Sequence, residues 1–221
     1  NNFLVKLLPR CFEESPYNRW KHVFIKERGH EYTDLSNKIP YRNSGYSQNV
    51  VYELQGNFQS YKYFLDHFNT ICNISGVYNH MNNIKTSNSI APIAMHFRRG
   101  DYKNAKYFHP IMPMEYYRNS LTYCIECIGL DTPVAVTIFC EEEDKPEIEL
   151  EIILPLMELF PKCDFQYAPI NLEDWQQMLL MSCSQCIIMA NSTFSWWAAM
   201  FNRHTNKVIR SEEHTSELQS H

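Results

Sequence analysis

Residues Ile90–Tyr102 read IAPIAMHFRRGDY. The apolar run Ile90–Phe97 has the length and content of a buried strand. It gives way at once to two arginines, a glycine and an aspartate. The pattern downstream decides what kind of sheet this strand joins. Pro113–Ile128 reads as an amphipathic helix with a proline near its first turn. Pro133–Cys140 (PVAVTIFC) is rich in β-branched residues and predicts a strand. Pro146–Phe160 predicts a helix that Pro155 should kink or split. Cys163–Tyr167 predicts a short strand. Asn171 is the expected cap of a helix running to about Cys183, with Glu173 and Asp174 in its first turn. Cys186–Ala190 (CIIMA) predicts another buried strand, and Thr193–Phe201 (TFSWWAAMF) a helix. Strands alternating with helices are the mark of βαβ units, so the expected fold is α/β with a parallel sheet flanked by helices.

Upstream the periodicity is poor. Glu53–His67 holds a turn at Gly56-Asn57 that leads into a predicted helix. Asn73–Ser89 is rich in Asn and Ser and reads as a linker. At the other end, Arg210–His221 (RSEEHTSELQSH) is polar and aperiodic and reads as a translated sequencing adapter rather than a natural segment. The expected organisation is therefore residues 1–88, an α/β domain over 89–209, and a non-native tail over 210–221. The chain starts without Met and is expected to be a fragment.

Composition narrows the function classes. The chain has 221 residues, is 44% hydrophobic and 20% charged, and so has the content of a globular core. A net charge of -5 and the lack of a basic stripe argue against nucleic-acid binding. No apolar run is long enough to span a bilayer. Among the eight cysteines, Cys124/Cys127 and Cys183/Cys186 have CxxC spacing. A zinc knuckle would need turns there, whereas these pairs fall on predicted helix and strand. Buried free thiols are the expected reading, which leans towards a reducing compartment.

The chemistry gathers at two strand ends. In open parallel sheets, ligands sit at the carboxyl ends of the strands. His96-Phe97-Arg98-Arg99-Gly100-Asp101 ends the first strand, and Asn191-Ser192-Thr193-Phe194-Ser195 ends the strand before the Trp helix. If those strands are neighbours, the motifs face one cleft. Arg98 and Arg99 suit the oxygens of a diphosphate, because a guanidinium is always charged and forks onto phosphate. Gly100 lets the backbone pass close to a ligand, Asp101 can orient an arginine or the acceptor, and His96 can bond phosphate or ribose. Ser192, Thr193 and Ser195 begin a helix, where free N–H groups and hydroxyls make an anion site. The plainer readings are a solvated arginine pair and a simple Ser/Thr cap. Trp196 and Trp197 are expected to be core wedges. The acidic run Glu141–Asp144 reads as a solvated loop or helix start rather than a metal site. His109 and Glu115 are the nearest candidate general bases.

Together these motifs resemble the α-1,2-fucosyltransferases (glycosyltransferase family 11). His96–Asp101 is similar to their His-x-Arg-Arg-x-Asp motif, shared more loosely with the α-1,6- and protein O-fucosyltransferases. Met112–Tyr117 (MPMEYY), Asp174–Cys183, Asn191–Ala199 (NSTFSWWAA) and, upstream, Gly56–Phe64 (GNFQSYKYF) resemble further family segments in the family's order. The resemblance implies a GT-B-like fold with a donor-binding lobe over 89–209 and a partial acceptor-side region over 1–88. It implies transfer of L-fucose from GDP-fucose to the 2-hydroxyl of a terminal galactoside on a glycan acceptor, with inversion and without an obligatory metal or other cofactor. His96, Arg98, Arg99 and Asp101 would contact GDP-fucose, with Asn191–Ser195 nearby. The compartment would follow the source: cytoplasmic or peripheral to a membrane in a bacterium or virus, Golgi lumen in an animal, with any membrane association supplied by segments outside this chain. The family's Gly-Asn-Gln opening segment is absent and the tail replaces its closing segment, so turnover is expected of the full-length parent. The alternatives are a catalytically inactive module that binds a GDP-sugar or a glycan, and another fucosyltransferase with the His-x-Arg-Arg-x-Asp motif, of the α-1,6 or protein O-linked kind.

Overall fold

A computed structural model of the chain describes residues 21–26, 50–55, 61–104, 110–129 and 133–211. The chain divides into two compact units, Asn1–Val77 and Tyr78–His221.

In the first unit, β1 (Lys21–Lys26) and β2 (Val50–Gln55) pair in parallel, with Lys21 opposite Val50 and Lys26 opposite Gln55. Neither strand is evident from the sequence pattern. The predicted turn at Gly56-Asn57 lies outside the described residues. The helix expected up to His67 is instead two 3₁₀ turns, Tyr61–Tyr63 and Leu65–His67, and the α-helix α1 begins only at Phe68 (Phe68–Ser75).

The linker expected over Asn73–Ser89 is helical instead. α1 ends on Gly76, whose φ of 68° is the left-handed turn that glycine adopts without strain. α2 (Val77–Ser87) follows directly. Val77, Met81 and Ile84 are buried, at the spacing of one helical face. The asparagines between them thin that stripe in the sequence but fall on its open side.

The second unit holds a five-stranded, all-parallel sheet: β3 (Ile93–His96), β4 (Val134–Phe139), β5 (Cys163–Tyr167), β6 (Cys186–Ile188) and β7 (Val208–Arg210), in the order β5-β4-β3-β6-β7. β3 lies in the centre, buried at every position. That burial explains why its sequence is apolar throughout instead of alternating. Counted from β3, the order is third, second, first, fourth, fifth, the Rossmann-like arrangement. β7 pairs with β6 and was not evident from its three residues.

Helices supply the rest of the core. α3 (Met114–Ile128) buries Tyr116, Tyr117, Leu121 and Cys124 against Ile93, Met95, Phe97, Cys186 and Ile188. Pro113 stands at its N-cap, and Gly129 closes it at a φ of 64°. The segment from Lys145 to Leu159 packs on the same core through Ile148, Ile152, Ile153 and Leu156. It is split as Pro155 predicts: α4 (Lys145–Ile148), a wide π-helical turn over Glu149–Ile153, then α5 (Leu154–Leu159). Pro155 has no N–H for the carbonyl one turn back, and the wide turn accommodates the interruption. α6 (Asp174–Met181) and α7 (Thr193–Phe201) pack on each other and carry the buried side chains Leu179, Met181, Ala198 and Phe201. The cap of α6 is Glu173 rather than Asn171: Glu173 and Gln176 bond each other's backbone N–H groups in a reciprocal capping box. No helix among the described residues is long and apolar enough to cross a membrane.

Candidate functional site

The strand order reverses between β3 and β6, the neighbours at the centre of the sheet. At such a switch point the connections leave in opposite directions and open a crevice at the carboxyl ends. His96–Asp101 emerges from β3 and Asn191–Ser195 follows β6, so the two motifs meet at this edge. Contact between them is direct: the His96 ring lies 5.0 Å from the Phe194 ring, centroid to centroid.

His96 is buried, and its Nδ1 has no hydrogen-bond partner. Burial, aided by the Arg98 charge, lowers its pKa to about 3. The ring is therefore neutral rather than a cation at ordinary pH. The strand end beneath it is pinned by Tyr117, whose hydroxyl donates to the His96 carbonyl at 3.2 Å.

The two arginines differ. Arg98 is partly exposed; it pairs with Asp101 at 2.9 Å and with Glu141. Arg99 is buried, so a solvated pair is not what the structure holds; its guanidinium bonds Glu147 and Glu151. Burial disfavours its charge, but the bonds to Glu151 and Glu147 outweigh burial and hold its pKa above the ordinary arginine value. Next to them, Lys103 Nζ pairs with Asp144 at 2.8 Å and with Glu147, and the Gly100 N–H donates to Asp144 Oδ2 at 2.8 Å. Burial works against the Asp144 charge, yet the bonds from Lys103 and Gly100 keep its pKa below the ordinary carboxylate value. Glu147 is held down chiefly by Lys103.

The acidic run after β4 is the expected helix start, with Glu141, Glu142 and Glu143 exposed and the helix beginning at Lys145, but its last residue is not solvated. Asp144 is buried, and Glu141, Asp144, Glu147 and Glu151 form a carboxylate wall around the arginine turn. These residues were absent from the predicted site. A signal for them existed: β3 and β4 are consecutive strands of a βαβ unit, and parallel neighbours end at the same edge, so an acidic run leaving β4 arrives beside the arginines leaving β3.

At the second strand end, Ser192 Oγ caps α7 by accepting from the Phe194 N–H at 3.2 Å. Ser195 is fully buried, and its hydroxyl donates to the Ala190 carbonyl at 3.0 Å. Thr193 is exposed, and Asn191 is half-buried. Trp196 and Trp197 are half-buried, their rings edge to face at 5.1 Å, and Trp197 stacks on Phe201. Glu115 is exposed in the first turn of α3. His109 lies outside the described residues. Cys124 and Cys186 are buried free thiols, as expected. Among the described residues, no three His, Cys, Asp or Glu side chains are grouped to hold a metal ion.

Comparison with known proteins places this geometry in context. Over 119 residues the chain is 30% identical to the O-antigen biosynthesis glycosyltransferase WbnK of Escherichia coli. The match covers 52% of this chain and 36% of the relative, so the chain spans well under two thirds of that protein's length. No family model matches the chain, and no solved structure does.

Proposed function

We propose that the chain is the donor-side part of a glycosyltransferase of GT-B-like architecture that moves L-fucose from GDP-fucose to the 2-hydroxyl of a terminal galactoside, with inversion. The observation that carries this reading is the meeting of His96–Asp101 with Asn191–Ser195 at the switch point of the sheet. The likeness to a glycosyltransferase supports the class of reaction. The relative is named for O-antigen biosynthesis, which agrees with a glycan as acceptor. The fucosyl and galactoside assignments rest on the motif resemblance.

In this reading the diphosphate of the donor lies over the turn after β3. As the glycosidic bond breaks, negative charge grows on the departing nucleoside diphosphate. Arg98, the more exposed of the two arginines, meets that charge in place of a metal. Arg99 holds the turn in shape through Glu147 and Glu151. Neutral His96 offers a hydrogen bond to phosphate or ribose. Glu115, at the carboxyl edge where α3 begins, and His109 are the candidates to take the proton of the acceptor hydroxyl. The full-length parent, assayed with GDP-fucose and a galactoside, should lose about 10²–10³ in turnover on Arg98→Ala. Near-normal turnover of that variant would overturn the assignment.

A further inference from the structure

Four carboxylates face the arginine turn, and three of them have structural work. Asp144 holds the Gly100 N–H and Lys103, while Glu147 and Glu151 hold Arg99. Glu141 is different. Its side chain is 44% exposed, and its ion partner is Arg98, itself 32% exposed. A Cβ built on Gly100 would lie 3.0 Å from Glu141 Oε2, so the carboxylate rests in the space that the absent side chain leaves open. The carboxylate thus bonds the most accessible guanidinium of the motif through Oε1 while Oε2 lies on the open side of Gly100. These are the contacts that the anionic oxygen of a diphosphate would take.

We propose that Glu141 is a placeholder in the donor's anion seat: its carboxylate occupies the position of a phosphate oxygen, is displaced when a diphosphate binds, and so sets donor and product affinity. The inference rests on the donor reading given above. Before a donor binds, the carboxylate neutralises Arg98 beside Gly100. Asp101, three residues along the same turn, stays on Arg98 and preserves its direction. When the diphosphate arrives, Glu141 swings to solvent, which its exposure permits. After transfer it competes for Arg98 again and helps the nucleoside diphosphate to leave.

The test is calorimetric titration of this chain with inorganic pyrophosphate and, separately, with GDP and UDP. Glu141→Gln should bind pyrophosphate about five- to tenfold more tightly than the wild type, because no half-exposed ion pair has to be broken and no like charge remains beside the ligand. Glu141→Ala, which removes the contact altogether, should do the same, and Arg98→Ala should bind no anion. Affinity unchanged or weakened in both Glu141 variants overturns the proposal, as does a lack of pyrophosphate binding in every form. Tighter pyrophosphate binding without preference for GDP over UDP upholds the seat and overturns the guanosine donor.

Discussion

The N–H of Gly100 donates to the carboxylate of Asp144 across 2.8 Å, so the turn that carries both arginines is fastened to the segment following the neighbouring strand. Asp144 is buried, and the same carboxylate holds Lys103. Removing it as Asp144→Ala should cost about 1.5–3 kcal/mol, the range for a hydrogen bond to a charged group. Asp144→Asn keeps an acceptor for Gly100 and should lose less. Urea unfolding of the three forms checks the order.

Acid should weaken the fold in two stages, the first belonging to His96. Its folded pKa is about 3 against an ordinary 6.5. Between those values the unfolded chain binds a proton that the folded chain refuses, so stability rises with pH across this window and is complete above 6.5. Asp144 and Glu147 have folded values below their ordinary 3.8 and 4.5, so their contribution is present above those values and is lost as pH falls below them. Melting temperatures of the wild type should therefore already fall between pH 6.5 and 5. His96→Gln should flatten that limb while leaving the steeper loss below about pH 4.5.

The two arginines should separate stability from affinity. Arg99→Ala should destabilise by about 1–3 kcal/mol, because a buried side chain and its paired charges are lost while Glu147 and Glu151 turn to water. Arg98→Ala should cost under about 1 kcal/mol, the range for an exposed pair, yet abolish anion binding. Arg99→Lys should restore only part of the stability, since the ammonium keeps a charge for Glu147 and Glu151 but not the planar bulk that the buried guanidinium packs. Parallel melts and GDP titrations distinguish the two roles.

Tyr116 ties α3 to the far side of the sheet. Its hydroxyl lies 2.6 Å from the Met189 carbonyl and 2.9 Å from the Arg210 carbonyl, at the carboxyl ends of β6 and β7. Tyr116→Phe should cost about 1–3 kcal/mol, because the buried Met189 carbonyl loses its side-chain donor. The Met189 amide, which donates to Arg210 across the same strand pair, should exchange its hydrogen faster in the variant.

Thiol chemistry should follow burial. Hydrogen bonding with the neighbouring Cys186 thiol, together with burial, raises the pKa of Cys124. Burial pushes Cys140 up to about 12. Cys127, one turn from Cys124 on α3, is exposed. Among the described cysteines, Cys127 should react first with a disulfide reagent, and mass mapping of the labelled peptide checks this.

The legible part of the fold lay where local signals agreed. Ile93–His96, Val134–Phe139 and Thr193–Phe201 were evident because apolar runs are bounded by proline or polar caps. α2 was hidden because its buried Val77, Met81 and Ile84 stand among asparagines that resemble a linker. The pairing of Arg99 with Glu147 and Glu151 was hidden for another reason. Those partners are 48 and 52 residues away, and charge on a helix reads as solvated until the strand order brings it to the arginine. The motifs at the two strand ends were visible singly, and their neighbourhood depended on the pairing of β3 with β6.

That pairing has a consequence for biogenesis. The ribosome releases β3 and its arginine turn long before it makes β6 and Phe194, and the ring contact between His96 and Phe194 cannot form until the later segment has docked. At roughly 5–20 residues per second the nascent polypeptide passes several seconds with one rim of its crevice missing. An anionic metabolite in the cell can therefore stabilise only the finished domain by mass action. Translation that stalls before β6 would leave β3 with an unpaired edge, a substrate for chaperones.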